Sequence, residues 1–213
     1  MSMNEHNLTE QFTISSAVFN LLSTTFYSSV DDVVLKTIEE CFEKFPYINE
    51  KISQSVNAVL EELKKPSLER IIIDFNELFI GAPFRKVYPW GSYYTDPEKL
   101  LFGESTLSYR NFLNVNGISV NFKGNEPTDH FALIFSVLAA VMGSEKSTDD
   151  KILMVDTIMY EHLEPWISGL LESICVNAKT VFYQHQALIA LEMITLWRTL
   201  LKTEDAILEL NVL

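Results

Sequence analysis

Apolar residues in the first eighty positions recur at intervals of three and four, the spacing that gives a helix one buried face. Ile14, Val18, Leu21, Leu22 and Phe26 predict a helix over 12–29. Asp31 is a good N-cap residue and opens a second helix through Val34, Ile38, Cys41 and Phe42, ending near position 45. A third carries Ile52, Val56, Val59, Leu60 and Leu63 and stops before Pro66. Ser67 caps a fourth, with Ile71, Ile72, Phe75, Leu78 and Phe79. The periodicity then breaks. Gly81, Gly91, Gly103, Gly117 and Gly124 fall in one stretch with Pro83, Pro89, Pro97 and Pro127. Helical spacing returns over 105–116, which ends at Gly117, and over 127–142, which is closed by Gly143. Ser147 or Thr148 starts the next helix, running to about position 162. Two more follow over 163–176 and 179–202, the last with Leu188, Leu191, Ile194, Trp197 and Leu201. "GISVNF" (117–122) alternates like a strand but has no partner strand, and reads as extended loop.

The pattern therefore predicts an all-α chain of about eight to ten helices. Two helical layers are joined by a Gly/Pro/aromatic-rich centre, in a single domain over 1–213. Its N-terminal helical part covers 1–80, its central loop-rich segment 81–126 and its C-terminal helical part 127–213.

Composition sharpens this in three ways. Hydrophobic residues are 47% of the 213 positions, which is ample for a packed interior and argues against disorder. Formal net charge is −13, without any Lys/Arg cluster, which excludes a basic face for nucleic acid or anionic membrane and favours a cationic partner. The acidity also serves solubility. Cys41 and Cys175 form no CxxC pair and read as reduced core thiols. The start, "MSMNEHNLTE", has neither the basic nor the apolar region of an export signal, and the longest apolar run, "FALIFSVLAAVM", is too short to span a bilayer. A cytoplasmic protein without stable membrane insertion is expected.

No catalytic signature is present: no GxSxG, P-loop, GxGxxG or HExxH, and His6, His162 and His185 lie apart from ligand-like patterns. Two constellations stand out. In "GNEPTDHFALIF" (124–135), Glu126 and Asp129 flank the start of a helix beginning at Pro127, where carboxylates satisfy free N–H groups and favour the helix dipole. His130 lies four residues after Glu126 and is not explained by capping. The trio could alternatively serve as metal ligands, as the acid/base groups of a metal-dependent enzyme, or as a polar recognition edge beside an apolar pocket. In "LFIGAPFRKVYPWGSYYTDPEKLLFGEST" (78–106), Phe79, Phe84, Tyr88, Trp90, Tyr93, Tyr94 and Phe102 crowd a loop-rich run. Such aromatics either plug a core or, on a Pro-fixed loop, hold an apolar peptide with little entropy loss.

"ELFIGAPFRKVYPWGSYYTD", "LFGESTLSYRNFL" and "NEPTDHFAL" in succession resemble the signatures of the TorD/DmsD-type redox-enzyme maturation chaperones, and are most similar to the dimethyl-sulfoxide-reductase branch. The resemblance implies an all-helical fold, no enzymatic activity, no cofactor and no metal. The implied function is binding of the twin-arginine signal peptide of a molybdoenzyme catalytic subunit, delaying Tat export until the cofactor is inserted. Sister branches of the family serve cytosolic metalloenzymes that lack an export signal. Tat translocase components are further implied partners, and the assembly is a monomer or a domain-swapped dimer. By match to the family motifs, the implied signal-peptide-binding residues are Leu78, Phe79, Gly81, Pro89, Trp90, Gly91, Glu126, Pro127, Asp129 and His130, with Tyr94 beside them. Tyr88, Pro83 and Tyr94 depart from the nearest relatives' pattern of proline, aromatic and tryptophan, and so bear on client preference. The residues point the same way: adjacent arginines followed by an apolar stretch are complemented by a carboxylate edge next to an aromatic groove.

Overall fold

The computed structural model describes residues 5–81, 85–120 and 125–211, with side chains placed over 8–81, 85–120 and 125–202. Pro83, Phe84, the end of "GISVNF", Gly124 and the His6 side chain lie outside the described residues.

The opening amphipathic run forms α1 (Glu5–Tyr27), which packs along α7 (Phe131–Met142). Phe19 meets Phe135 at 5.3 Å and Phe26 meets Phe131 at 5.0 Å between ring centroids, so the aromatic stripe of one helix seats on that of the other. A second packed pair is α3 (Glu50–Leu63) and α10 (Val181–Asn211). Trp197 of α10 joins the two pairs, its ring 4.9 Å from Phe12 and its Nε1 donating to Ser15 Oγ of α1.

The remaining helices close around these pairs. Asp31 caps α2 (Asp32–Glu43) through Val34 N, as its sequence position predicts. Helix α4 (Leu68–Phe75) widens into a π-helical turn, Asn76–Ile80, and Ser67 makes no side-chain cap there. A short helix, α5 (Gly91–Thr95), forms inside the segment expected to be loop, followed by α6 (Glu104–Val115). Helix α8 (Thr148–Thr157) also ends in a π turn, Ile158–Leu163, before α9 (Ile167–Asn177). The N-terminus of α10 is satisfied from other helices: Asp74 accepts from Lys179 N, Thr180 N and Thr180 Oγ1, and Glu62 accepts from Phe182 N.

The all-α expectation holds; among the described residues there is no strand, only an isolated antiparallel bridge between Trp90 and His130. Two further expectations need correction. Helix α7 begins at Phe131 rather than at Pro127, and His130 caps it by accepting from Ala132 N at Nδ1. Glu126 and Asp129 therefore cap nothing in α7; Asp129 is turned towards Gly91 and Ser92 instead. Cys41 is exposed and Cys175 half-buried, so neither is a core thiol. Cys41 lies beside, not on, the buried Leu35/Ile38/Phe42 face of α2. Among the described residues, no helix is long and apolar enough to cross a membrane.

Candidate functional site

The two constellations, separated in sequence by 107–123, meet at the Trp90–His130 bridge. Phe131 N donates to Pro89 O at 2.9 Å, and Gly91 N donates to Asp129 O at 3.0 Å. The Asp129 carboxylate, fully buried, completes the junction. One oxygen accepts from Ser92 N, the second N–H of α5, and the other from Thr106 Oγ1 in α6. Thr128 Oγ1 donates to Thr106 O at 3.2 Å. Three segments, 89–92, 104–106 and 127–131, are thus tied at one buried carboxylate, as a buried charge requires.

Gly91 is needed at this junction for space. A Cβ there would stand 2.6 Å from Trp166 Cε2 and 2.8 Å from Ser105 Oγ. Tyr94, one turn on in α5, stacks on Trp166, with ring centroids 6.0 Å apart and planes at 17°. Tyr94, Gly91 and Asp129 therefore belong to the packed side of the junction.

The opposite side is open. A cleft of about 360 Å³ is bounded by Phe79 and Ile80 of the π turn, Pro89 and Trp90, Glu126 and Pro127, with Phe26, Tyr27, His130 and Phe102 completing the wall. Trp90 is 8% exposed, and its indole N–H is buried with no acceptor among the described residues. His130 is buried, its ring centroid 5.3 Å from that of Tyr27 at a steep angle and its ring stacked on Phe131 at 5.5 Å. Burial pushes its pKa down to about 3, so the imidazole is neutral at pH 7, and the bond to Ala132 N places its proton on Nε2.

Glu126 is half-buried at the rim. Burial lifts its carboxyl above the usual range, and the Arg85 guanidinium pulls the other way. Among the described residues its carboxylate makes no hydrogen bond or ion pair, in contrast to Asp129. Arg85 lies over the Trp90 ring at 5.1 Å and the Tyr88 ring at 5.5 Å, and Tyr88 in turn stacks on Tyr93 at 3.9 Å.

Of the residues singled out in the sequence, Phe79, Pro89, Trp90, Glu126, Pro127 and His130 line the cleft. Leu78 is a core residue whose carbonyl accepts from Val87 N. Gly81 is exposed and ends the π turn, its N–H bonded to Asn76 O. Sequence reading missed Phe26 and Tyr27, which α1 delivers from a distant position, and also Ile80, Arg85 and Leu101. Ile80, Leu101 and Phe102 are 57%, 38% and 43% exposed, an apolar rim beside the cleft. Phe102 holds a left-handed backbone, φ 63°, which is unfavourable for a bulky residue and draws attention to its role at the rim. A larger groove of about 660 Å³ lies between α1 and α2 but contains none of the motif residues.

The metal reading finds no support in this geometry. Both Asp129 oxygens and His130 Nδ1 are engaged within the protein, and among the described residues no group of three His, Cys, Asp or Glu is placed to hold an ion.

Comparison with known proteins supports the resemblance read from the motifs. The sequence model of a family described as nitrate reductase delta subunit matches residues 45–172. The "Probable Tat proofreading chaperone DmsD" of Haemophilus influenzae is 29% identical over 185 residues, covering 84% of this chain and 87% of that protein. The "Tat proofreading chaperone DmsD" of Salmonella typhimurium is 32% identical over 146 residues, covering 68% and 69%. The "Chaperone protein TorD" of Vibrio cholerae is 24% identical over 178 residues, covering 80% of each.

Proposed function

This chain belongs to the nitrate reductase delta subunit family, that of the DmsD and TorD chaperones, and from that premise we propose that it is a cytoplasmic chaperone that binds the twin-arginine signal peptide of a molybdenum-cofactor oxidoreductase precursor. By covering the signal it delays Tat export until cofactor insertion and folding are complete. The observation that carries this reading is the cleft beside the Trp90–His130 bridge, where a half-buried carboxylate without a partner among the described residues stands next to an aromatic wall and an exposed apolar rim.

The chemistry of a twin-arginine signal fits each part. A guanidinium brings Glu126 an ion pair in partly desolvated surroundings, where charge-assisted bonds are stronger than in water. The Trp90 ring offers the peptide an aromatic wall. Ile80, Leu101 and Phe102 can cover the apolar stretch that follows the arginines. Asp129, fully occupied inside the protein, acts by holding Pro89–Ser92 in place and does not face the peptide.

Calorimetry with a synthetic signal peptide and its twin, in which both arginines are replaced by alanine, tests the reading. The arginine peptide is expected to bind at least tenfold more tightly, with affinity that weakens as salt is added. Equal affinity for the two peptides would refute it.

A further inference from the structure

The cleft already holds one cation, and it belongs to the protein. Arg85 is the one Lys or Arg among the described residues that line it. Its guanidinium lies over Trp90 at 5.1 Å and Tyr88 at 5.5 Å, and among the described residues it makes no ion pair. The other basic side chains nearby are engaged elsewhere: Lys86 pairs with Glu77 at 3.0 Å, and Lys99 lies over Tyr93 at 5.3 Å. The Arg85 charge lowers the Glu126 carboxyl against the effect of burial, so the two sense each other without a direct bond. In a chain of net charge −13, this places a positive group at the spot where the preceding reading seats a positive ligand.

We propose that Arg85 is a resident stand-in for a client arginine, filling the subsite formed by Trp90, Tyr88 and Glu126, and that peptide binding proceeds by its displacement. The inference rests on the function proposed above and adds a specificity device to it. Exchanging one guanidinium for another over the same rings is close to neutral, because the incoming contact replaces one of the same kind. A peptide with a single cation therefore gains little from this subsite. A net gain comes from a second, adjacent arginine and from burial of the apolar stretch, the two features that distinguish a twin-arginine signal from an ordinary basic segment. Arg85 thus raises the threshold for binding and discourages occupancy by wrong partners.

Two variants of the full chain separate displacement from a mere effect of charge. Arg85→Gln removes the cation, whereas Arg85→Lys keeps the charge but gives up the guanidinium over Trp90 and Tyr88. Each is titrated by calorimetry with a synthetic peptide of two adjacent arginines followed by a Leu/Ala stretch, and with the same peptide carrying two alanines in their place. Displacement implies that Arg85→Gln tightens binding of the arginine peptide about 3- to 10-fold and that Arg85→Lys tightens it by a smaller factor, while neither changes binding of the alanine peptide. The side-chain NMR signals of Arg85 in the wild type, shifted by the two rings, should move to open-chain values when the arginine peptide is added. Tightening by Arg85→Gln alone, with Arg85→Lys equal to wild type, reduces Arg85 to a distant charge and overturns displacement. So does unchanged or weaker binding by both variants, or an Arg85 signal that stays put. A wild-type chain that fails to discriminate the two peptides refutes the proposed function itself and the Arg85 inference with it. A discriminating wild type with unresponsive variants overturns only the inference.

Discussion

Glu126 and Asp129 are three residues apart in one motif and carry the same chemical group, yet their surroundings are opposite. Asp129 is fully buried and saturated by Ser92 N and Thr106 Oγ1. Glu126 sits at the rim of a cleft with no hydrogen-bond partner among the described residues and with its carboxyl raised by burial. The two sides of the Trp90–His130 junction differ in the same way: Gly91, Tyr94 and Trp166 pack closely on one side, whereas Ile80, Leu101 and Phe102 stand exposed on the other. One side fixes the motif geometry, and the other side is available to a ligand. Substitutions on the packed side should read out in stability, and those on the open side in binding.

The largest effect is expected from Asp129→Ala, which leaves Ser92 N and the Thr106 hydroxyl without their acceptor in a buried site. Urea unfolding should show a loss of about 3 kcal/mol or more. A loss below about 1 kcal/mol would mean that the junction is not held there. Gly91→Ala comes next, since its Cβ would collide with the Trp166 ring. A loss of about 1–3 kcal/mol in the same assay is expected, and an unchanged midpoint would show that Trp166 moves aside freely.

Acidification probes His130. Its folded-state pKa of about 3 is below the unfolded value of 6.5, so between these values the unfolded chain binds more protons. Stability is therefore complete above about pH 6.5 and falls as pH decreases towards 3, by at most about 1.4 kcal/mol per pH unit from this group. Burial lowers His162 and His185 in the same direction. His130→Gln should flatten the stability profile between pH 6.5 and 4, and a profile parallel to wild type would contradict the buried neutral imidazole.

The smallest stability effect is expected at the rim. Phe102→Gly relieves a left-handed backbone and removes a side chain that is 43% exposed, so stability should change by less than about 0.5 kcal/mol or rise slightly. Peptide affinity should nevertheless fall several-fold, and unchanged affinity would place the apolar stretch elsewhere.

Helix type and order were legible in the sequence because the apolar stripes of α1, α2, α3 and α10 are long and regular. The start of α7 was not: Pro127 and two carboxylates make a good N-terminus locally, but pairing of Asp129 with 91–92 outweighs that preference and delays the helix to Phe131. The motif residues of the cleft were readable as a group, although the division of labour between Glu126 and Asp129 depends on which way a turn faces, which no spacing encodes. Tyr27 and Phe26 could not be assigned to the cleft from sequence, since on α1 they look like any other buried stripe. Phe102 carried a faint signal, an aromatic immediately before a glycine in a loop, without any indication of its backbone conformation.

In the function proposed above, Glu126 on the open side of the junction meets an arginine of the signal peptide. A double-mutant cycle measures this directly: calorimetry of wild type and Glu126→Gln, each with the arginine peptide and with its alanine twin. Glu126→Gln should leave the unfolding midpoint nearly unchanged, and the cycle should return a coupling of about 1–2 kcal/mol. A coupling indistinguishable from zero, with both proteins folded, would contradict it.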